Sequence, residues 1–188
     1  MIRRPPRSTL DRSSAASDVY KRQDPIINVE IIEAITDNVI ECWDKYKSNP
    51  TNTIDVTSTA TFDGIQSGNA LNLSDFQEDY KFQGALKNIL EIVQHLLRSK
   101  LHYYWVHFVE YHSGGYQGLH NHAHNEDYSL ILYLNTCKGG ETCFESGVVC
   151  TPKKNHMMLF QANINHKAKE TQSWDNKKVL VCGMRRSK

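Results

Sequence analysis

The chain has 188 residues, with 22 Lys+Arg against 21 Asp+Glu, 39% hydrophobic residues, five Cys and nine His. That is the composition of one globular domain, large enough to bury a core without staples. The near balance of charge gives no field to gather nucleic acid or an anionic surface, and no apolar run approaches the roughly 18 residues a spanning helix needs. Nucleic-acid binding and membrane insertion are therefore not expected.

Residues 1–23 carry six basic and two acidic side chains, with their apolar residues scattered singly and no helical or strand period. The segment resembles a translated sequencing-adaptor read and is taken as a disordered, non-native leader, outside the fold. Without it the remainder, residues 24–188, is slightly acidic and reads as a single domain, with helical support over 24–100 and a β-rich core over 101–188. From Val29 to Tyr46, Ile31, Ile32, Ile35, Val39, Ile40 and Trp43 fall three and four apart, which predicts a helix with one buried stripe. Residues 49–66 are Thr-rich and β-branched, suiting one or two short strands. A second helix is expected from Ser74 or Asp75 to about Arg98, with Phe82, Leu86, Ile89, Leu90, Val93, Leu96 and Leu97 inward.

After Lys100 the texture becomes β throughout. LHYYWVHFVEYH, YSLILYLN, GETCFE, GVVCTP, HMMLFQA and KVLVCGM are short runs separated by Gly, Pro, Asn and Lys clusters. Two helices followed by six or seven antiparallel strands make an α+β, mainly β arrangement, with helices backing a sandwich or barrel. Cys42, Cys137, Cys143, Cys150 and Cys182 are odd in number, form no CxxC and follow no secretory signal. They read as free buried thiols of a reduced, cytoplasmic protein.

Three of the nine His fall within five positions, His120, His122 and His124 in GLHNHAHNED. Strand residues two apart share a face, so His120 and His122 can aim both imidazoles into one cavity. Glu126 and Asp127 follow closely, and His166 arrives on a later strand. A site of His with an optional carboxylate and no thiolate favours Fe(II), Mn(II), Ni(II) or Zn(II) with open positions over closed structural zinc. His95, His102, His107 and His112 read as packing or surface residues. His124 is assigned to a loop, His156 to the surface, and Tyr103, Trp105 and Phe108 to the core; Trp174 either covers the cavity mouth or is exposed.

The run Tyr111-x-x-Gly114-Gly115-Tyr116-x-x-x-His120 is followed by ILYLN at 131–135, GGETCFE at 139–145, TPKKNHMMLF at 151–160 and His166. In this order and spacing the motifs resemble the prolyl-4-hydroxylase-like branch of the 2-oxoglutarate and Fe(II)-dependent oxygenases. The resemblance implies a double-stranded β-helix, a jelly-roll barrel like that of cupins, with two supporting N-terminal helices. It implies a hydroxylase that uses Fe(II), 2-oxoglutarate and O2, with ascorbate as an accessory reductant, and that releases succinate and CO2. His120 and His166 would be metal ligands, Tyr111 would lie beside the cosubstrate, and Tyr133 would bond its far carboxylate.

Two departures from the family pattern stand out. The basic residue expected near the head of the last strand is a lysine, Lys178 or Lys177, with Lys178 the first choice; a lysine binds a carboxylate as a point charge without the bidentate fork of arginine. Arg185 and Arg186 lie further along than the pattern requires. The family's His-x-Asp reads His120-x-His122 here, so the third ligand is His122, or Asp127 or Glu126 substitutes, or the position is open. An imidazole in place of a carboxylate would raise the centre's charge by one and its reduction potential with it. His120-x-His122-x-x-x-Glu126 is also similar to the first cupin metal motif, which keeps a cupin-type metalloenzyme without 2-oxoglutarate, or a metal-free jelly-roll binding module, as the alternatives. The substrate, protein or small molecule, is not legible, because it is chosen by loops.

Overall fold

Inward and outward side chains alternate so regularly along the strands that the sheet sorts its own residues into two layers. The computed structural model describes residues 26–54, 61–172 and 174–187. The expected leader, residues 1–23, lies outside the described residues, as do positions 55–60 of the Thr-rich stretch. The elements are β1 (Ile26–Glu30), α1 (Glu33–Tyr46), β2 (Thr53–Ile54), β3 (Thr61–Ser67), α2 (Ser74–Glu78), α3 (Tyr80–Leu97), β4 (Leu101–His120), β5 (Tyr128–Tyr133), β6 (Thr142–Phe144), β7 (Val149–Cys150), β8 (His156–Gln161), β9 (His166–Ala168) and β10 (Lys177–Arg186). The sheet runs β1-β8-β5-β10-β4-β9-β6-β7, with β3 also on β4 and β2 on β3. The named pairings are antiparallel, and the curled sheet is that of a double-stranded β-helix, as expected.

On the outward face, Val106, Phe108, Leu130, Leu132, Met157, Leu159, Leu180 and Cys182 pack against Ile35, Val39, Trp43, Phe82, Leu86 and Ile89 of the helices. Trp43 stacks on Phe108 with centroids 5.1 Å apart, and Phe76 and Phe82 close around the same ring at 5.3 Å each. On the inward face Val109, Tyr111, Ile131, Tyr133, Phe144, Met158, Phe160 and Val179 form a second, separate cluster. Burying some eight aliphatic and aromatic side chains on each face, at about 1.5–3 kcal/mol apiece, is what fixes strand parity, since a one-residue slip would exchange the layers.

The helical expectations need two corrections. Residues 26–30 precede the first helix as strand β1, paired with β8 from Ile26↔Phe160 to Glu30↔His156, so the stripe beginning at Val29 mixes two elements and leaves Ile32 exposed. The second helix is broken at Asp79, whose Oδ1 accepts the Phe82 N–H at 3.0 Å and caps α3 afresh. Asp75, expected at a cap, instead accepts from Asn49 and Asn52. All five cysteines are free thiols. Among the described residues no helix is long and apolar enough to cross a membrane.

Candidate metal centre

β4 is twenty residues long because its partners change along its length: β10 covers Leu101–Tyr111, β3 covers Val109–Gln117, and β9 takes the last turn of register, Gln117↔Ala168 and His120↔His166. The final pair sets two imidazoles directly opposite each other. His122 lies two positions on, just past the strand, held by its N–H to the Ala162 carbonyl at 2.8 Å. Ring centroids are 4.3 Å apart for His120 and His166, 4.9 Å for His120 and His122, and 5.5 Å for His122 and His166. One nitrogen from each ring lies within 4.8 Å of the others.

The tautomers of two rings are dictated by their neighbours. His120 Nδ1 is 2.8 Å from the Gly118 carbonyl and His166 Nδ1 is 3.0 Å from that of Ile164. A carbonyl only accepts, so each Nδ1 carries the proton and each Nε2 presents its lone pair. Burial first, and the adjacent imidazoles next, push His122 down to about 4 and His166 down to about 3, while burial lowers His120. The three rings are therefore neutral at physiological pH, the state in which imidazole binds a metal. A set of three neutral imidazoles with one side open fits a divalent first-row ion such as Fe(II), Ni(II) or Zn(II) rather than closed structural zinc.

A cavity of about 380 Å³ opens on this triad, walled by Gln66, Trp105, His107, Val109, Gln117, Asn125, Ser129, Ile131, Phe160 and Val181. Further along the same inward rows lie Tyr111, Tyr133 and Lys177. Lys177 is 2% exposed, opposite Tyr111 in register, with Nζ 4.7 Å from the Tyr111 ring centroid and 5.8 Å from that of Tyr133. Nζ donates to the Gly140 carbonyl at 2.7 Å, and among the described residues no carboxylate pairs with it. Burial lowers its pKa to about 8. Gly140 has φ +67°, and a Cβ there would sit 2.8 Å from Lys177 Cδ and 3.2 Å from Thr171 Oγ1. Thr171 Oγ1 is itself buried without a hydrogen bond among the described residues. An unpaired buried cation beside an unpaired hydroxyl is a cradle fitted to an anion. Tyr133 O–H donates to Thr142 Oγ1 at 2.7 Å, and Tyr111 O–H to Gln117 Oε1 at 3.2 Å, which links the cradle to the cavity wall.

Three expectations fail on geometry. Lys178 points outward, where Nζ binds Asp44 at 2.8 Å, because adjacent strand residues face opposite sides. Asp127 is turned away from the triad: its Oδ2 accepts from the Arg186 N–H at 2.8 Å. Glu126 is buried beneath Trp105, accepting from Ser129 Oγ at 2.7 Å, in space left by the absent side chain of Gly183, where a Cβ would overlap both Glu126 Oε2 and Trp105 Nε1. Two residues read as packing are walls of the cavity, Trp105 and His107, with Trp105 5.5 Å from the His122 ring. Their odd-numbered parity with Val109 and Tyr111 was the available signal. His124 and Trp174 are exposed, the latter 98%.

No family model matches the chain, and neither does any curated protein. Solved structures do. The viral collagen prolyl hydroxylase of Paramecium Bursaria Chlorella virus-1, in its 2-oxoglutarate complex, superposes with a TM-score of 0.61 at 16% identity, over 88% of this chain and 98% of that one. An oxidoreductase of the 2-oxoglutarate–Fe(II) oxygenase family from Burkholderia pseudomallei gives 0.64 at 14% identity, over 92% and 91%. The chain has the fold of the 2-oxoglutarate and Fe(II)-dependent oxygenases. SnoN, an α-ketoglutarate-dependent non-haem epimerase from nogalamycin biosynthesis, gives 0.68 at 12% identity, over 90% and 82%. The same fold thus houses at least two reaction outcomes, so fold alone leaves the substrate open.

Proposed function

We propose that this protein is a 2-oxoglutarate and Fe(II)-dependent hydroxylase in which His120, His122 and His166 hold the metal and Lys177 binds the far carboxylate of the cosubstrate. The observation that carries the reading is the meeting of three imidazoles at one point, two with their metal-facing nitrogen fixed by a backbone carbonyl. When bound, Fe(II) and 2-oxoglutarate supply the activation of O2 that hydroxylates a C–H bond with release of succinate and CO2; ascorbate is the accessory reductant consistent with it. The protein's own work is orientation and exclusion of water.

Lys177 exchanges its Gly140 carbonyl for the carboxylate, a charge-assisted bond in a dry site, with Thr171 Oγ1 and Tyr133 as neighbouring donors. Tyr111 walls the cosubstrate from the Lys177 side. Val109, Ile131, Val181 and Phe160 keep the cavity apolar between its two polar ends. The substrate class favoured is a peptidyl side chain, by analogy with the viral prolyl hydroxylase, or a small molecule entering past Trp105 and His107. Five free thiols fit a reducing cytoplasm.

Loading with Fe(II) without oxygen and then adding 2-oxoglutarate should raise the melting temperature in two steps, and admission of air should yield succinate. A metal step with no 2-oxoglutarate step would overturn the proposal. It would favour a cupin-type metalloenzyme that holds its metal through the three imidazoles without the Glu126 of the sequence motif.

A further inference from the structure

Lys177 is the first residue of β10, and strand ends fray unless something ties them. The tie lies on the opposite face of the sheet. Tyr111 and Lys177 form one inward rung, and the next rung, Glu110↔Lys178, points outward to α1. There the Glu110 carboxylate, 3% exposed, accepts three bonds: Trp43 Nε1 at 2.8 Å, Lys47 Nζ at 3.1 Å and Asn176 Nδ2 at 2.7 Å. Asn176 immediately precedes Lys177, and its carbonyl accepts from Asn135 Nδ2 at 2.8 Å, while Asn135 Oδ1 accepts the Lys178 N–H at 2.8 Å. The backbone on both sides of Lys177 is thus pinned.

We propose that Glu110 is a positioning residue for the cosubstrate pocket: through Asn176 on one strand and its own neighbour Tyr111 on the other, it couples helix α1 to the placement of the Lys177 ammonium. The claim rests on the cosubstrate reading of Lys177. Its physical basis is that a buried carboxylate among an indole, an ammonium and an amide is an expensive way to hold a helix on a sheet. The surrounding interface is apolar and packs without it, through the Trp43–Phe108 stack and the Phe76 and Phe82 rings. What the polar node adds is direction: two donors from α1 and its C-cap and one from the residue before β10 converge on Glu110, next to the rung that carries the pocket's cation. Outer partners of this kind set how well the group they orient can bind.

The test is calorimetric titration of Mn(II), and then of 2-oxoglutarate into the Mn(II) form without oxygen, for the wild type and the Glu110→Ala, Glu110→Gln, Asn176→Ala and Lys177→Ala variants. Glu110→Ala should weaken 2-oxoglutarate about tenfold while leaving Mn(II) affinity unchanged. Glu110→Gln should recover most of the loss, because its amide oxygen still accepts from Trp43 and the Asn176 amide can turn to accept from it. Asn176→Ala leaves Trp43 and Lys47 on Glu110 and should reproduce the weakening even if Glu110→Ala fails to fold. Unaltered 2-oxoglutarate affinity in both alanine variants, with Lys177→Ala impaired, would overturn the positioning role alone, as would equal losses of metal and cosubstrate. A wild type that ignores 2-oxoglutarate, or a Lys177→Ala variant that binds it normally, would overturn the cosubstrate reading and this inference with it.

Discussion

Lys177 and Lys178 are adjacent in sequence and lie in different worlds. The inward one is buried with no ion pair among the described residues, its pKa lowered by desolvation, with a carbonyl as its hydrogen-bond partner. The outward one is partly exposed and paired with Asp44 at 2.8 Å. The same contrast runs through the whole sheet. Outward rows close on helices through hydrocarbon and rings, and every buried polar group of the Glu110 node is answered there. Inward rows end in groups with capacity to spare: three neutral imidazoles facing one another, a Lys177 ammonium held by a neutral carbonyl, and a Thr171 hydroxyl with no hydrogen bond among the described residues. Both faces bury an apolar cluster, but only the inward one also holds chemistry at a cost in stability.

Removing a ligand should break this contrast most completely. His166→Ala is expected to abolish both the metal-dependent rise in melting temperature and succinate formation, measured by thermal shift and product assay, while the metal-free fold persists. Lys177→Met should then separate function from stability: 2-oxoglutarate binding falls by about two orders of magnitude while the metal-free protein gains on the order of 2 kcal/mol at neutral pH. The sign follows from linkage. A lysine whose pKa falls from 10.5 to about 8 on folding destabilises the native state below pH 8, and the penalty fades as pH rises from 8 towards 10.5. The gain in urea denaturation should therefore vanish in strongly alkaline buffer.

A smaller effect belongs to Glu126, whose burial lifts its pKa from 4.5 to about 7 against the opposing Ser129 hydrogen bond. Native stability tied to this group is complete below pH 4.5 and is lost as pH climbs through 7. Glu126→Gln should stabilise on the order of 1–2 kcal/mol above neutrality and leave acidic stability unchanged, read by melting across a pH series. Least affected should be Lys178→Ala, with unchanged 2-oxoglutarate affinity by calorimetry and a stability change within about 1 kcal/mol, as for other part-exposed ion pairs.

The strands after Lys100 were legible because each presents an alternating or fully apolar run between breakers, and His120 with His166 because the imidazoles stand out against such runs. The break at Asp79 was visible in principle as a cap followed three residues later by Phe82, yet the apolar period continues across it and masks the interruption. β1 was hidden because Ile26–Glu30 lies against the start of a helical stripe and is a strand only by virtue of β8. The choice between Lys177 and Lys178 turned on strand phase, which could have been counted back from Val179 and Val181.

From the sequence alone followed what local pattern determines: two helical regions, a β-rich second half, reduced cysteines and an unusual cluster of imidazoles. The third ligand could not be read that way. Asp127 and His122 sit five residues apart on a loop, and only the Ala162 carbonyl on His122, the Arg186 amide on Asp127 and the packing of Trp105 over Glu126 determine which side chain meets the other two. Those partners lie some twenty to sixty residues away along the chain. A ligand set is a meeting of distant segments, so the packed sheet decided it.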